Sequence, residues 1–208
     1  MKPLAQCRLY TFVDAAYLHG RNPAEVAREL CEGGSDLIQL RAKGWEVEPV
    51  RATAEAILPI TRAAKVGLVI NDFPDVANEV GADFCHLGQE DFFEAGLRAE
   101  VPFGLSSHGP EQAKQALEAK PAYIAIGPVY ATGTKPGAKP VTLEYVRWAA
   151  ANVKIPWFAI GGITMKNVGD AIAAGARRIC VVSAILNAPS VRGACQAFAE
   201  RIRSAPLI

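Results

Sequence analysis

The chain has 208 residues, half of them hydrophobic, and its 22 basic and 21 acidic side chains leave a formal charge of +1. That length suits one domain with a large core and is short for two. Balanced charge gives no long-range field for nucleic acid or an anionic membrane, and no apolar run approaches a membrane span, so anion binding has to be local.

The start, Met1-Lys2-Pro3-Leu4, lacks the apolar core of a signal peptide. Cys7, Cys31, Cys85, Cys180 and Cys195 are odd in number and widely spaced, which indicates neither a disulfide framework nor a zinc knuckle. The expectation is a reduced, cytoplasmic protein in which Cys7, Cys85 and Cys180 serve as small buried hydrophobes.

Taken in order, short apolar strands are predicted over residues 8–13, 36–40, 67–70, 84–87, 102–105, 123–126, 157–160 and 178–182. Helical periodicity fills 23–31, 47–64, 110–119, 143–150, 165–173 and 191–202 between them. Pro23, Pro49 and Pro110 stand where a first helical turn tolerates proline. Eight strands alternating with helices predict an α/β fold, a single (β/α)8 TIM barrel spanning residues 1–208. A doubly wound open sheet is the competitor, because alternation alone does not prove closure. Three short segments, Gly33-Gly34-Ser35-Asp36, Val80-Gly81-Ala82-Asp83 and Ala174-Gly175-Ala176-Arg177, look like one recurrent turn between helix and strand, and this repeat favours the barrel.

In a barrel the chemistry belongs at the C-terminal strand ends. Gln39, Arg41 and Lys43 follow the second strand, Asn71 and Asp72 the third, and Gly88-Gln89-Glu90-Asp91 the fourth. Ser106, Ser107 and His108 end the fifth strand. Thr132, Thr134 and Lys135 lie in the Gly- and Pro-rich loop after the sixth. Gly161-Gly162-Ile163-Thr164 and Val182-Ser183 end the seventh and eighth, and the N-terminal strand ends carry nothing comparable.

Arg41, Lys43 and Lys135 on separate loops suit a heavily charged ligand such as a pyrophosphate. Asp72 and Asp91 are hard oxygen ligands suited to Mg²⁺ shared with substrate phosphates, although either alone could be a cap. Backbone N–H groups at Gly162 and Ser183 would form a second anion cradle. Two cradles at one mouth predict a group-transfer enzyme for two phosphorylated small molecules, with pyrophosphate leaving. His108 is expected to brace a loop and His86 to be structural. Tyr17, His19 and Arg21 are candidates for touching substrate, and the three tryptophans are expected to pack.

The motifs Gln39-Leu40-Arg41-Ala42-Lys43, Ile70-Asn71-Asp72, His86-Leu87-Gly88-Gln89-Glu90-Asp91 and Gly104-Leu105-Ser106-Ser107-His108 resemble those of the thiamine phosphate synthase family. So do Gly127-Pro128-Val129-Tyr130, Thr132-Gly133-Thr134-Lys135, Ile160-Gly161-Gly162-Ile163 and Val182-Ser183-Ala184-Ile185. The resemblance implies condensation of hydroxymethylpyrimidine diphosphate with a thiazole phosphate, releasing pyrophosphate. It implies Gln39 on the pyrimidine, and Arg41, Lys43, Asn71, Ser106 and Lys135 on the diphosphate, with Arg41, Lys43, Ser106 and Lys135 as the catalytic set. It places Mg²⁺ on Asp72 and Asp91, and the thiazole phosphate on Thr132, Thr134, Gly162, Val182 and Ser183. The family's usual pattern is left at Phe73 (an arginine elsewhere), at Gly109 (a threonine elsewhere) and after Lys135. The related thiazole tautomerase branch, with a histidine at the place of His108, and a non-catalytic phosphate-ligand binder are the alternatives. Partners expected are small phosphorylated substrates, without nucleic acid or membrane; small barrels of this kind often pair as a homodimer.

Overall fold

The structure, a computed structural model, describes residues 1–131 and 141–205. Eight parallel strands close on themselves in chain order. They are β1 (Leu9–Asp14), β2 (Leu37–Arg41), β3 (Gly67–Asn71), β4 (Phe84–Leu87), β5 (Phe103–Ser107), β6 (Tyr123–Ile126), β7 (Trp157–Ala159) and β8 (Ile179–Cys180). The pairing that decides barrel over open sheet is β8 with β1, where Leu9 faces Ile179 and Tyr10 faces Cys180.

Nine α-helices are found among the described residues. They are α1 (Pro23–Glu32), α2 (Val47–Ala64), α3 (Pro74–Val80), α4 (Gln89–Phe93), α5 (Pro110–Glu118), α6 (Thr142–Asn152), α7 (Val168–Ala173), α8 (Ser183–Leu186) and α9 (Val191–Arg203). The six predicted helices are α1, α2, α5, α6, α7 and α9. Helices α3, α4 and α8 fall in short stretches where no helical period is predicted. Starts follow local chemistry: Asn22 Oδ1 accepts from the Ala24 N–H at 2.8 Å, and Ser190 Oγ from the Gly193 N–H at 3.0 Å. Pro59, inside α2, lies on the exposed face, where water can serve the Glu55 carbonyl it leaves unpaired.

Each of the three recurrent turns has a glycine at positive φ, at Gly34, Gly81 and Gly175. In two of them the aspartate that follows holds an earlier strand. Asp83 Oδ2 accepts from the Leu68 N–H at 2.8 Å, and Asp36 Oδ2 from the Arg8 and Leu9 N–H groups at 2.6 and 2.9 Å. Asp36 also pairs with Lys2 at 2.5 Å and Arg203 at 2.9 Å. The Arg8 guanidinium beside it donates to the carbonyls of Arg177, Ile202 and Ala205. The N-terminal strand ends therefore carry a polar cluster after all. Asp36, Lys2, Arg203 and Arg8 are partnered by one another and by backbone, as befits the end of a barrel that reads as stability. Nε of the adjoining Arg177 and Arg178 is buried without a hydrogen bond among the described residues.

Alternate residues of the strands point into the barrel. Its lower interior is filled by aromatic rings: Tyr10, Tyr123 and Phe158 meet edge to face with centroids 5.3 to 5.8 Å apart, and Phe84 joins at 5.9 Å. Gly104 makes this possible, since a Cβ there would fall 2.1 Å from Tyr123 Cζ. The buried thiols of Cys7 and Cys85 are pushed up to about 11 and about 12 by desolvation, in keeping with packing roles.

Asp36→Ala should cost about 3 kcal/mol in urea unfolding, because it orphans buried donors and cations together. Asp83→Ala, which frees one N–H, should cost about 1 kcal/mol. Equal losses would deny the cluster its special weight.

Candidate active site

A cavity of about 630 Å³ opens at the C-terminal mouth of the barrel. It gathers Gln39, Arg41, Lys43, Asn71, Asp72, Asp91, Ser106, Gly162, Val182 and Ser183. These are all the described residues that were assigned to a ligand or to Mg²⁺; Tyr17, His19 and Arg21 are not among the residues lining the cavity. Thr132, Thr134 and Lys135 lie outside the described residues. A second depression, lined by Arg28, Cys31, Pro59 and Ala63, lies on the helical shell away from the strand ends.

The cations arrive with partners that sequence reasoning missed. Asp14 ends β1 directly opposite Arg41, and its buried Oδ2 accepts from Arg41 Nη1 at 2.9 Å. The guanidinium is thereby aimed before any ligand binds, at little further entropy cost. Lys43 Nζ lies 3.1 Å from Asp72 Oδ2. Asp72 itself sits at φ 63°, a left-handed conformation that aspartate tolerates better than most residues. It is not the cap of α3, which begins after Phe73 without a side-chain cap. Asp91 does act partly as a cap: its Oδ2 accepts from the Gly88 N–H at 3.2 Å.

Asp72 and Asp91 line one cavity, and among the described residues no group of three or more His, Cys, Asp or Glu side chains is gathered as a metal site. As hard oxygen donors, Asp72 and Asp91 suit a hard cation completed by water and substrate oxygens, while His86 on the same cavity is engaged with Ser106 and Tyr123.

The glycine pair after β7 is explained by close approach. Gly161 and Gly162 have φ of 101° and 63°, and Cβ atoms there would fall 2.4 Å from Pro128 Cβ and 2.5 Å from the Ala131 carbonyl oxygen. The Val129 and Tyr130 N–H groups donate to the Ile160 and Gly161 carbonyls at 2.8 and 3.0 Å. The start of the loop after β6 is thus zipped to the turn after β7. Asn167, another residue missed in the sequence, braces that turn through Nδ2 on the Gly162 carbonyl at 2.9 Å and Oδ1 on the Thr164 N–H at 2.7 Å.

His108 Nδ1 donates to the Gly127 carbonyl at 2.5 Å, the loop-bracing role expected of it, while its ring also borders the cavity. Arg21 donates to the Tyr17, Leu18 and Leu186 carbonyls, and His19 Nε2 lies 3.0 Å from Asn187 Oδ1. These residues hold the first loop and do not line the cavity, contrary to the expectation of substrate contact. Gly109 has extended backbone at φ 174° and open space where a Cβ would stand, so no steric need explains its departure from threonine.

His86 is the largest surprise. It lies in β4 as expected, yet its ring borders the cavity and its Nε2 lies 3.0 Å from Ser106 Oγ. Burial lowers its pKa to about 4, with Asp91 opposing in part, so the imidazole is neutral.

A mouth lined by cations, carboxylates and amides belongs to a TIM-barrel enzyme acting on a small anionic molecule. The profile of the thiamine monophosphate synthase family matches residues 9–185. A protein from Thermus thermophilus called thiamine-phosphate synthase is 47% identical over 178 residues, covering 82% of this chain and 84% of its own. Another of that name from Deinococcus radiodurans is 42% identical over 195 residues, covering 88% and 70%. Among solved structures, thiamine phosphate pyrophosphorylase from Pyrococcus furiosus superposes with a TM-score of 0.85 at 28% identity, over 97% of this chain and 98% of that one. The chain belongs to the thiamine monophosphate synthase family. No helix among the described residues is long and apolar enough to cross a membrane.

Folded His86 takes a proton near pH 4 and an unfolded histidine near 6.5, so its contribution to stability falls as pH drops from 6.5 towards 4 and is level above that window. The loss amounts to about 3 kcal/mol at the acid end. His86→Gln should flatten this limb in urea unfolding followed from pH 7 to 4.5; an unaltered slope would assign it to other groups.

Proposed function

We propose that the chain is a thiamine-phosphate synthase. It joins 4-amino-2-methyl-5-hydroxymethylpyrimidine diphosphate to 4-methyl-5-(2-phosphooxyethyl)thiazole, forming thiamine phosphate and pyrophosphate. The observation that carries this reading is the convergence of Arg41, Lys43, Asn71 and Ser106 with Asp72 and Asp91 in one cavity, and of Gly162, Val182 and Ser183 with them.

The pyrimidine sits at the cavity floor against Gln39, with its diphosphate towards Arg41, Lys43, Asn71 and Ser106. The bond from the exocyclic methylene carbon to the diphosphate oxygen breaks, and its electron pair leaves with pyrophosphate. The thiazole nitrogen then supplies the pair that forms the new carbon–nitrogen bond. Charge grows on the departing oxygens, so donors fixed in advance stabilise the transition state more than the ground state. Arg41, already aimed by Asp14, is such a donor, and Lys135 is assigned the same task from the loop after β6. Mg²⁺ held by Asp72 and Asp91 would offset diphosphate charge when bound. Lys43, beside Asp72 in the structure, would face the diphosphate. The thiazole phosphate is held at the opposite rim by Gly162, Val182 and Ser183, with Thr132 and Thr134 assigned to it. No general base is needed, because the thiazole nitrogen attacks with its own lone pair.

A turnover assay with both substrates and Mg²⁺ tests this reading. Pyrophosphate release supports the synthase; no release alongside tight ligand binding would leave the non-catalytic binder, and isomerised thiazole phosphate would leave the tautomerase. Asp91→Ala should lower Mg²⁺-dependent turnover by about 100-fold or more with the barrel still folded by circular dichroism. Lys135→Ala should lower kcat by a similar factor, about 100-fold, with a smaller effect on KM. A change confined to thermal stability would make that loop a mere connection.

A further inference from the structure

Five side chains from five strands form one unbroken line of hydrogen bonds beneath the cavity. Gln39 Nε2 lies 2.6 Å from Tyr10 Oη, and Tyr10 Oη lies 2.9 Å from Tyr123 Oη. Tyr123 Oη lies 3.1 Å from His86 Nδ1, and His86 Nε2 lies 3.0 Å from Ser106 Oγ. Gln39, Tyr10, His86 and Ser106 border the cavity, while Tyr123 lies beneath them, and Tyr10 and Tyr123 are 1% and 0% exposed. Gln39, assigned to the pyrimidine, and Ser106, assigned to the diphosphate, are therefore two ends of one buried chain.

Such a chain has only two internal orders. Each hydroxyl and the neutral imidazole has one proton to give, and a hydroxyl on which two donors converged would bury its own proton without an acceptor, so the bonds all point one way. In one order protons are donated from Gln39 towards Ser106. Gln39 gives an amide N–H to Tyr10, His86 carries its proton on Nε2, and Ser106 keeps its own proton for the cavity. Gln39 then shows its Oε1 to the ligand. In the reverse order the Gln39 amide is turned over, His86 carries its proton on Nδ1, and Ser106 spends its proton on His86. The cavity would then meet the lone pairs of Ser106 beside an anionic ligand, and amide N–H groups where an acceptor is wanted.

We propose that the chain runs from Gln39 to Ser106, making Tyr10, Tyr123 and His86 positioning residues. They present Gln39 Oε1 to the amino group of the pyrimidine and the Ser106 hydroxyl proton to the diphosphate. The inference rests on the function proposed above and adds a basis for selecting an amino over an oxo pyrimidine. The fold commits space to the device, because only a glycine at position 104 leaves room for the Tyr123 ring. Cooperative bonds shielded from water hold the order more firmly than any single contact would.

The direction is read first on the folded protein by ¹⁵N NMR of labelled histidine, with inorganic pyrophosphate as the bound anion and His86→Gln for assignment. The Nε2–H tautomer of His86 is expected, and the Nδ1–H tautomer overturns the proposal. That measurement does not depend on turnover, so it stands even where an absence of pyrophosphate release has overturned the proposed function. Specificity is read second, as the ratio of kcat/KM for the 4-amino and 4-oxo pyrimidine diphosphates. Tyr123→Phe removes one hydroxyl and keeps the ring packing, and should lower the ratio by at least about tenfold. Tyr10→Phe should do the same if Tyr123→Phe fails to fold. In a Gln39→Ala background neither variant should move the ratio further. Losses of stability or rate with the ratio unchanged would reduce the chain to a packing role.

Discussion

The contact on which the rest of the molecule depends is the pairing of β8 with β1. It spans two residues of β8, Ile179 and Cys180, yet it turns a sheet into a barrel. Closure gives eight strands one common interior and brings their C-terminal ends to one mouth. Residues as far apart in the chain as Gln39 and Ser183 share a cavity for that reason alone. An open sheet with the same strands would have spread them along an edge.

Closure also imposes a cost, since an interior open to a polar ligand must carry polar groups through an apolar core. The chain meets this at two levels. At the mouth, charges come in opposed pairs: the largely buried pair of Arg41 with Asp14 limits the penalty of desolvation and holds the guanidinium in place, while Lys43 meets Asp72 nearer to solvent. Beneath it, hydroxyls and the imidazole of His86 satisfy one another in series, while their rings pack against Phe158 and Phe84. The two tyrosines are thus core residues by area and site residues by hydrogen bonding. At the opposite end, Asp36 gathers Lys2, Arg203 and two strand N–H groups, a knot that secures the first strand without facing any ligand.

Backbone requirements sharpen the meaning of several small residues. Gly161 and Gly162 let residues 128–131, the start of the loop after β6, lie against the turn after β7. Asp72 occupies a left-handed conformation at the junction of β3 and α3, strain of a kind that tends to gather at functional sites.

Alternation of apolar strands with periodic helices was enough to predict the strands, with β4 and β6 where the apolar runs lie, whereas closure into a barrel was decided by the pairing of β8 with β1. It was enough because strand and helix periods are local properties of the side-chain order. The polar residues past each strand were legible for the same reason, and the family motifs with them. The helices α3, α4 and α8 were not legible; each spans about two turns or fewer, and α7, six residues long, was read only within a longer periodic stretch, 165–173. Nor were the partners: Asp14 under Arg41, Asn167 behind Gly162, and Tyr10 and Tyr123 between Gln39 and Ser106. Each reads locally as a strand end, a turn or an apolar core residue. Only the closed barrel, by placing strands far apart in the chain at hydrogen-bonding distance, decided that they serve the site.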